Sequence, residues 1–370
     1  MPIYMDRHES PGLTEVEVAE GHKEDMKVQH KYGCKAFTYW FDAEKGIGFC
    51  LIDAPNKEAV IKMHDEAHGG VPNQIIEVNL NIVEAFLGRI KDPDAHDEAE
   101  LLTLIDPAFR IIMATEIKNA ALIKSKFGNI KGTKILSTHN GIIEKAIRYH
   151  EGREVEYNDN SVIATFISAS KSVECALEIQ KHFREQDKQT ACVQMDVTIG
   201  LSAGNPVTDK NDFFGDAIPL AKRLSYIGGG YHVLMSSSVR EQLRKERLET
   251  LPDQEGIKAL NPQEERFING LMDVTEKAWN QEGFNVGCLG KQMALSKAQL
   301  YRKTIALTNW SPTEFIREFR LKRATELIEK HWGNISEIAF ETGFGSPSYF
   351  SKCFQKQFGI LPSVYIKTIA

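Results

Sequence analysis

The 370-residue sequence has only six cysteines, Cys34, Cys50, Cys175, Cys192, Cys288 and Cys353, and no two stand in C-x-x-C spacing. That pattern supports neither a disulfide framework nor a zinc ribbon. No apolar run reaches 18 residues, so no membrane-spanning helix and no membrane partner are expected. The opening MPIYMDRHES lacks the basic-then-apolar order of a secretory signal, which points to a cytoplasmic protein. Low-complexity tracts are missing, and the one internal repeat lies near the C-terminal end. Positive charge is scarce overall, with 45 Lys and Arg against 51 Asp and Glu. It is also uneven. Gly283–Ala370 holds 12 basic against 6 acidic residues, a balance of +6, so residues 1–282 carry −12. Such a chain does not bind nucleic acid over its whole surface; it binds with one end.

The repeated pattern sits in that end. Val286–Thr308, VGCLGKQMALSKAQLYRKTIALT, and Ile335–Phe358, ISEIAFETGFGSPSYFSKCFQKQF, each read as a short helix, a tight turn and a second helix. Ser296 and Ser346 are placed to cap the second helices by accepting free N–H groups. Pro347 suits the first helical position, where a missing N–H does no harm. Between the units, Ser311 and Pro312 open a joining helix that continues to Lys330, 19 residues and roughly 28 Å at about 1.5 Å per residue. At about 100° per residue, Phe315, Ile316 and Phe319 point to one side, and Leu321, Ala324, Leu327 and Ile328 largely to another. That drift suits a helix shared by two small bundles. It would hold two recognition helices about 34 Å apart, one turn of duplex. The outward set is Lys297, Gln299, Arg302 and Lys303 on the first, and Ser348, Tyr349, Lys352, Gln355 and Lys356 on the second. Leu300, Leu307, Phe350 and Phe354 are spaced to pack inward. Arg and Gln can pair with guanine and adenine edges, and Lys with phosphate, so double-stranded DNA is the expected partner.

LSKAQLYRKTIALTNWSPTEFI, RLKRATELI and ISEIAFETGFGSPSYFSKCFQKQFGILPSVY resemble the DNA-binding domain of the AraC/XylS family of bacterial transcription regulators, over about Gly283 to Ile369. Thr304 and Trp310 depart from that pattern, standing where an apolar residue and a glycine are expected. The resemblance implies a sequence-specific transcription regulator, with RNA polymerase as a further candidate partner.

At the other end, the order strand (Ile3–Met5), helix (Glu15–Lys31), strands (Phe37–Phe41 and Gly48–Ile52), helix (Lys57–Ala67) and strand (Gln74–Val78) predicts a ferredoxin-like βαββαβ unit. Five of the chain's eleven histidines, His8, His22, His30, His64 and His68, fall here. His64 and His68 are four apart on one helix face and could grip one metal ion, with His8 approaching from the sheet. MPIYMDRHE, GHKEDMKVQHKYG, YWFDAEKGIGFCLIDAPNKEAV and HDEAHGGVPNQIIEV resemble a small family of bacterial nickel-binding ferredoxin-like domains. That resemblance implies a dimerising domain holding a divalent transition metal through His8, His22, His64 and His68. Imidazole suits nickel, and equally zinc or copper. His30 and Cys50 are lesser candidates.

Between the two ends, Asp106–Gln242 alternates strands and helices. A sheet is expected from Phe109–Ala114, Val155–Tyr157, Val162–Phe166 and Val193–Leu201. FRIIMATEI, GREVEYNDNSVIATFISASKSVECALEIQKHF, VTIGLSAGNPV and FFGDAIPLAKRLSYIGGGYHVLMSSSVREQL resemble class III nucleotide cyclases, which hold two metal ions on two aspartates. Here the first aspartate position is Glu116 and the second Asn160, a neutral amide and a poor ligand for Mg²⁺. A slip of one residue would restore Asp159. The base-recognising lysine is replaced by Glu156 and the helix asparagine by Pro219, while Asp216 and Arg223 keep the pattern. A cyclase-like domain without cyclase activity is expected. It would serve dimerisation or hold a small ligand near Glu116, Asn160, Asp216 and Arg223. The alternative is an active or residual cyclase fused to a DNA-binding domain.

Gly88–Glu98 and Glu246–Glu265 read as linkers, and Arg266–Ala278 as the first helix of the last domain. The expectation is a multidomain α+β chain. A ferredoxin-like domain spans 1–82, a cyclase-like α/β domain 99–245 and an all-α domain with two helix-turn-helix motifs 264–370. It would act as a homodimer under a metal or small-molecule effector.

Overall fold

The computed structural model describes residues 1–93, 104, 106–118, 120–158, 160–189, 195–228, 232–246 and 256–369. Asp159, Cys192, Val193 and parts of both expected linkers (94–98 and 247–255) lie outside the described residues.

Strands β1 (Ile3–Glu9), β2 (Lys35–Asp42), β3 (Ile47–Asp53) and β4 (Gln74–Val78) form an antiparallel sheet in the order β2-β3-β1-β4. Helices α1 (Glu15–Val28) and α2 (Lys57–His68) complete the βαββαβ unit. Alternation along β1 sorts its side chains between two faces. Tyr4 joins Val60 and Met63 of α2 in one apolar cluster, while Met5 joins Trp40, Phe49 and Leu51 in another. This second face is covered. Helix α3 (Leu80–Leu87) brings Val83, Phe86 and Leu87 to it, and Ile112, Ala114, Ile163 and Phe214 of the middle domain complete the cluster.

The middle domain has a six-stranded sheet of β5 (Arg110–Ile117), β6 (Arg153–Asn158), β7 (Ser161–Phe166), β8 (Val197–Gly204), β9 (Val233–Met235) and β10 (Ile257–Ala259). The order is β10-β9-β8-β5-β7-β6. Around it lie α4 (Ala120–Phe127), α5 (Asn129–Tyr149), α6 (Ala169–Gln189), α7 (Ala217–Ile227) and α8 (Ser237–Lys245). Ile111 and Met113 pack with Ile143, Val173 and Val239 of α5, α6 and α8. Strand β10 falls inside the stretch expected to be a linker, because its backbone pairs in parallel with the otherwise open edge of β9. The next helix, α9 (Pro262–Ala278), begins four residues earlier than expected, where Asn261 and Glu264 form a capping box.

The C-terminal part continues with α10 (Val286–Gln292), α11 (Lys297–Thr308), α12 (Pro312–Glu329), α13 (Ile335–Glu341), α14 (Pro347–Phe358) and α15 (Pro362–Ile369). Helix α12 serves two cores. Phe315, Ile316 and Phe319 pack with Leu271, Leu289 and Leu300, and also with Leu220, Leu224, Tyr226 and Ile227 of α7. Leu321, Ala324 and Ile328 pack with Ile338, Phe350, Phe354 and Tyr365. The first of these cores crosses from the middle domain into the C-terminal one. Phe315→Ala should therefore lower stability by about 3–5 kcal/mol, with the two domains losing structure in one urea transition by circular dichroism and tryptophan fluorescence. Two separate transitions in the wild-type chain would show the cores to be independent.

Candidate functional site

Both helix-turn-helix units turn in the same way. In the first, Met293 is followed by Ala294 at φ 53°, and the Leu295 N–H donates to Gly290 O at 2.9 Å. In the second, Thr342 is followed by Gly343 at φ 75°, and the Phe344 N–H donates to Ala339 O at 2.9 Å. The single left-handed residue ends one helix and redirects the chain. Ser296 Oγ then accepts from the Gln299 N–H, and Ser346 Oγ from the Tyr349 N–H. Leu300, Leu307, Phe350 and Phe354 are buried. Lys297, Gln299, Arg302, Lys303, Ser348, Tyr349, Lys352, Gln355 and Lys356 are all exposed. Gln299 is partly engaged, since its Oε1 accepts from the Ser296 N–H and hydroxyl. Lys303 Nζ lies 5.5 Å from the centre of the Phe267 ring. Tyr301, outside the expected set, is exposed on α11 as well. Arg320 donates to the carbonyls of Trp279, Gln281 and Phe284, pinning the α9–α10 connection to α12.

In the N-terminal domain the histidines divide. His64 is wholly buried, with Nε2 2.9 Å from Asp6 and Nδ1 2.9 Å from Asp25. His68 Nε2 lies 3.2 Å from His64 Nδ1, and the His8 ring stands edge-on to His64 with centres 4.8 Å apart. The donor atoms of Asp6, His8, Cys50 and His64 all lie within 4.8 Å of one another, as do those of Asp25, His64 and His68. His22 engages elsewhere, with Nε2 3.0 Å from Asp92 and its ring 5.0 Å from that of Tyr39. Asp6 and Asp25 were not picked out from the sequence. Asp6 stands two residues before His8 on the same strand face, a signal that alternation could have supplied. Asp25 shows only as the end of the buried stripe Ala19, His22, Asp25 on α1.

Burial opposes charge on His64, yet the Asp6 and Asp25 carboxylates push its pKa up to about 10. Burial would raise both carboxyls, and the neighbouring histidines hold them below the usual range instead. The thiol of Cys50 is pushed well up by burial and by the same carboxylates. Nitrogen, sulfur and carboxylate oxygen together make a donor set suited to a transition metal. His8 Nε2 is buried, with Asp6 Oδ1 3.3 Å away.

A cavity of about 1140 Å³ lies between the middle domain and α12, lined by Glu116, Asn160, Lys118, Tyr226, Trp310 and Lys322 among others. Glu116 is 2.9 Å from Lys322 Nζ and 3.5 Å from Lys118 Nζ. Burial alone would raise its carboxyl; the two ammonium groups override that and hold it low. Lys118 also donates to the Ser225 and Tyr226 carbonyls. Asp216 and Arg223 face elsewhere. Asp216 pairs with Lys210, and Arg223 reaches Asn269 at 2.8 Å, Asp273 at 2.5 Å and Glu276 at 2.9 Å on α9. The structure thus brings two of the four expected pocket residues together and directs Arg223 to the C-terminal part. Glu156 pairs with Lys222 at 3.1 Å.

Fold and sites define a class: a domain with two helix-turn-helix units, joined by a mixed-sheet domain to a small ferredoxin-like domain rich in metal-ligand side chains. Residues 289–368 match the helix-turn-helix domain family, and residues 4–78 the family described as nickel responsive protein SCO4226-like. The C-terminal segment is thus similar to AraC-type helix-turn-helix domains, and the N-terminal segment to the family described as nickel responsive. Over 102 residues the chain is 42% identical to Histidine kinase P4 of Formosa agariphila, covering 28% of this chain and 7% of that protein. Over 104 residues it is 30% identical to the HTH-type transcriptional regulator MtrA of Neisseria gonorrhoeae, covering 27% and 32%. The solved structure of SCO4226 from Streptomyces coelicolor A3(2) is similar at 30% identity over 21% of this chain and 96% of that one, with a TM-score of 0.20. A bacterial light-regulated adenylyl cyclase is similar at 12% identity over 65% and 87%, with a TM-score of 0.33. The chain spans well under half the length of these curated relatives. Among the described residues, no helix is long and apolar enough to cross a membrane.

Without metal, His64 governs the alkaline side of stability. Its imidazole titrates near 6.5 when unfolded and near about 10 when folded, so its contribution is full below 6.5 and is lost as pH rises through 10. Asp6 and Asp25, held low, contribute above the usual carboxylate range and lose that contribution as pH falls. Chelator-treated protein should lose stability on going from about pH 7 to about pH 10, and His64→Gln should flatten that limb in denaturant titrations. A limb unchanged by the substitution would place the titrating proton elsewhere.

Proposed function

We propose that this chain is a sequence-specific DNA-binding transcription regulator, acting in the cytoplasm as a homodimer, whose AraC-type domain answers to a divalent metal held by the N-terminal domain. The observation that carries the DNA-binding half is the pair of capped recognition helices, joined by one helix and exposing all nine expected contact side chains. The basic balance of Gly283–Ala370 supports it. RNA polymerase is the natural further partner of such a protein.

The match of residues 4–78 puts nickel first, and the donor set accepts zinc or copper as well. His64, shared by both donor groups, would hold the ion together with either His8 or His68 beside it; His22 joins α1 to Asp92 of the chain leaving the domain. A bound cation would offset the charge of Asp6 and Asp25. It can change DNA binding only by favouring one arrangement of the domains over another.

The middle domain is read as non-catalytic. Glu116 is committed to Lys118 and Lys322, Glu156 to Lys222, and Asn160 is neutral. Its apolar clusters run into both neighbours, which supports a connecting role within the chain.

Arg302→Ala should cost about 1–3 kcal/mol and relax preference at one base pair, whereas Lys352→Ala should weaken all duplexes alike and lower the salt slope by about 1. Fluorescence anisotropy on duplexes drawn from genome-wide binding maps, made with and without added nickel, reads both effects. A loss from Arg302→Ala that is uniform across sequences would make it a phosphate contact. Absence of binding to any genomic duplex would overturn the regulator reading. Incubation with ATP or GTP and Mn²⁺ should yield no cyclic nucleotide above a protein-free control; product above it would restore the cyclase reading.

A further inference from the structure

His64 presents a different set of donors to each ring nitrogen. Asp6 meets Nε2 and shares a donor group with His8 and Cys50; Asp25 and His68 meet Nδ1. One cation takes one nitrogen of the ring, and the other nitrogen keeps its proton and donates it. Two observations favour the Nε2 side. It offers four donors against three, and His8 Nε2 is buried there with Asp6 Oδ1, at 3.3 Å, as its polar neighbour. Each ring nitrogen faces a carboxylate at 2.9 Å, Asp6 at Nε2 and Asp25 at Nδ1, but on the Nδ1 side His68 remains part-exposed.

Backbone structure brings the thiol into this set. Cys50 lies on β3, and its N–H donates to Asp6 Oδ1 at 3.0 Å, so the carboxylate and the cysteine are tied across the β1–β3 pair. β1 supplies Asp6 and His8, β3 supplies Cys50, and α2 supplies His64. Three elements of the βαββαβ unit thereby converge on one point.

We propose that Cys50 is a metal ligand: the ion of the N-terminal domain is held by Asp6, His8, Cys50 and His64 Nε2, while Asp25 accepts the His64 Nδ1 proton from behind and His68 stays outside the ligand set. The proposal rests on the metal-sensor reading and narrows it. Uptake replaces the thiol proton and the His64 Nε2 proton with the ion, and both protons leave to solvent. A sulfur donor beside two imidazoles favours nickel, copper, zinc or cobalt over magnesium and calcium.

The test uses the full chain, reduced and stripped with a chelator, then titrated separately with Ni²⁺ and Co²⁺. Equilibrium dialysis gives stoichiometry, the near-ultraviolet spectrum reports thiolate-to-metal charge transfer, and X-ray absorption of the nickel-loaded wild type reports a sulfur neighbour without any substitution. The wild type should bind with the charge-transfer band and a sulfur neighbour. Cys50→Ser should lose the band and bind more weakly, Cys34→Ser and His68→Gln should keep the band, and Asp25→Asn should keep it with affinity lowered about 10–100-fold. Binding by the wild type with no band and no sulfur neighbour overturns the proposal and leaves the sensor reading standing. A band that survives Cys50→Ser, or is lost with His68→Gln, also overturns it. If the wild type takes up neither metal, the sensor reading falls and the proposal with it.

Discussion

The apolar seam between α7 and the first helix-turn-helix unit constrains the rest of this molecule. Leu220, Leu224, Tyr226 and Ile227 give the seam its middle-domain side, and Phe315, Ile316 and Phe319 give it the other. Burial of so many large side chains is the dominant favourable term at such a junction, and it leaves the two parts no independent orientation. Polar contacts then set the register. Arg223 reaches three side chains of α9, and Lys322 of α12 meets the half-buried Glu116, which Lys118 also approaches.

At the far side of the middle domain, the N-terminal sheet is fixed by a comparable apolar layer through α3. Its other face carries the opposite chemistry. Asp6, Asp25 and His64 sit with little or no exposure, and His8 and His68 stand beside them. The two faces of β1 therefore have separate tasks: Met5 looks toward the middle domain, and Asp6 and His8 toward the donor cluster. Any shift of the strand would be felt on both.

Local rules carried much of this architecture into the sequence. The caps Ser296, Ser311 and Ser346, and the drift of the apolar face along α12, were legible because each depends on residues close in the chain. The order βαββαβ was legible for the same reason. The donor cluster was legible only in part. His8, His64 and His68 do come together, but spacing could not tell that Asp92 engages His22, or that Asp6 and Asp25 flank His64, since those contacts join distant elements. β10 was hidden because three residues pair only when β9 leaves an edge open. The departures from the DNA-binding pattern prove instructive. Thr304 is buried with its hydroxyl donating to Leu300 O, and Trp310 lines the interdomain cavity with its ring 6.1 Å from Tyr226. The tryptophan thus bridges the two parts, with Phe315 of α12 6.3 Å away on its own side.

The two helix-turn-helix units are not packed alike. The first shares its interior with α7, whereas the second gathers an interior of Leu321, Ala324, Ile328, Phe350, Phe354 and Tyr365 and meets the middle domain at its rim, where Lys124 lies 3.8 Å from Glu329. Fluctuations that open a few turns at a time concentrate where fewest neighbours resist them. Amide protons in α13 and α14 should thus exchange sooner than those in α11, and on a duplex the amino-terminal unit would act as the anchored jaw while the carboxy-terminal one probes.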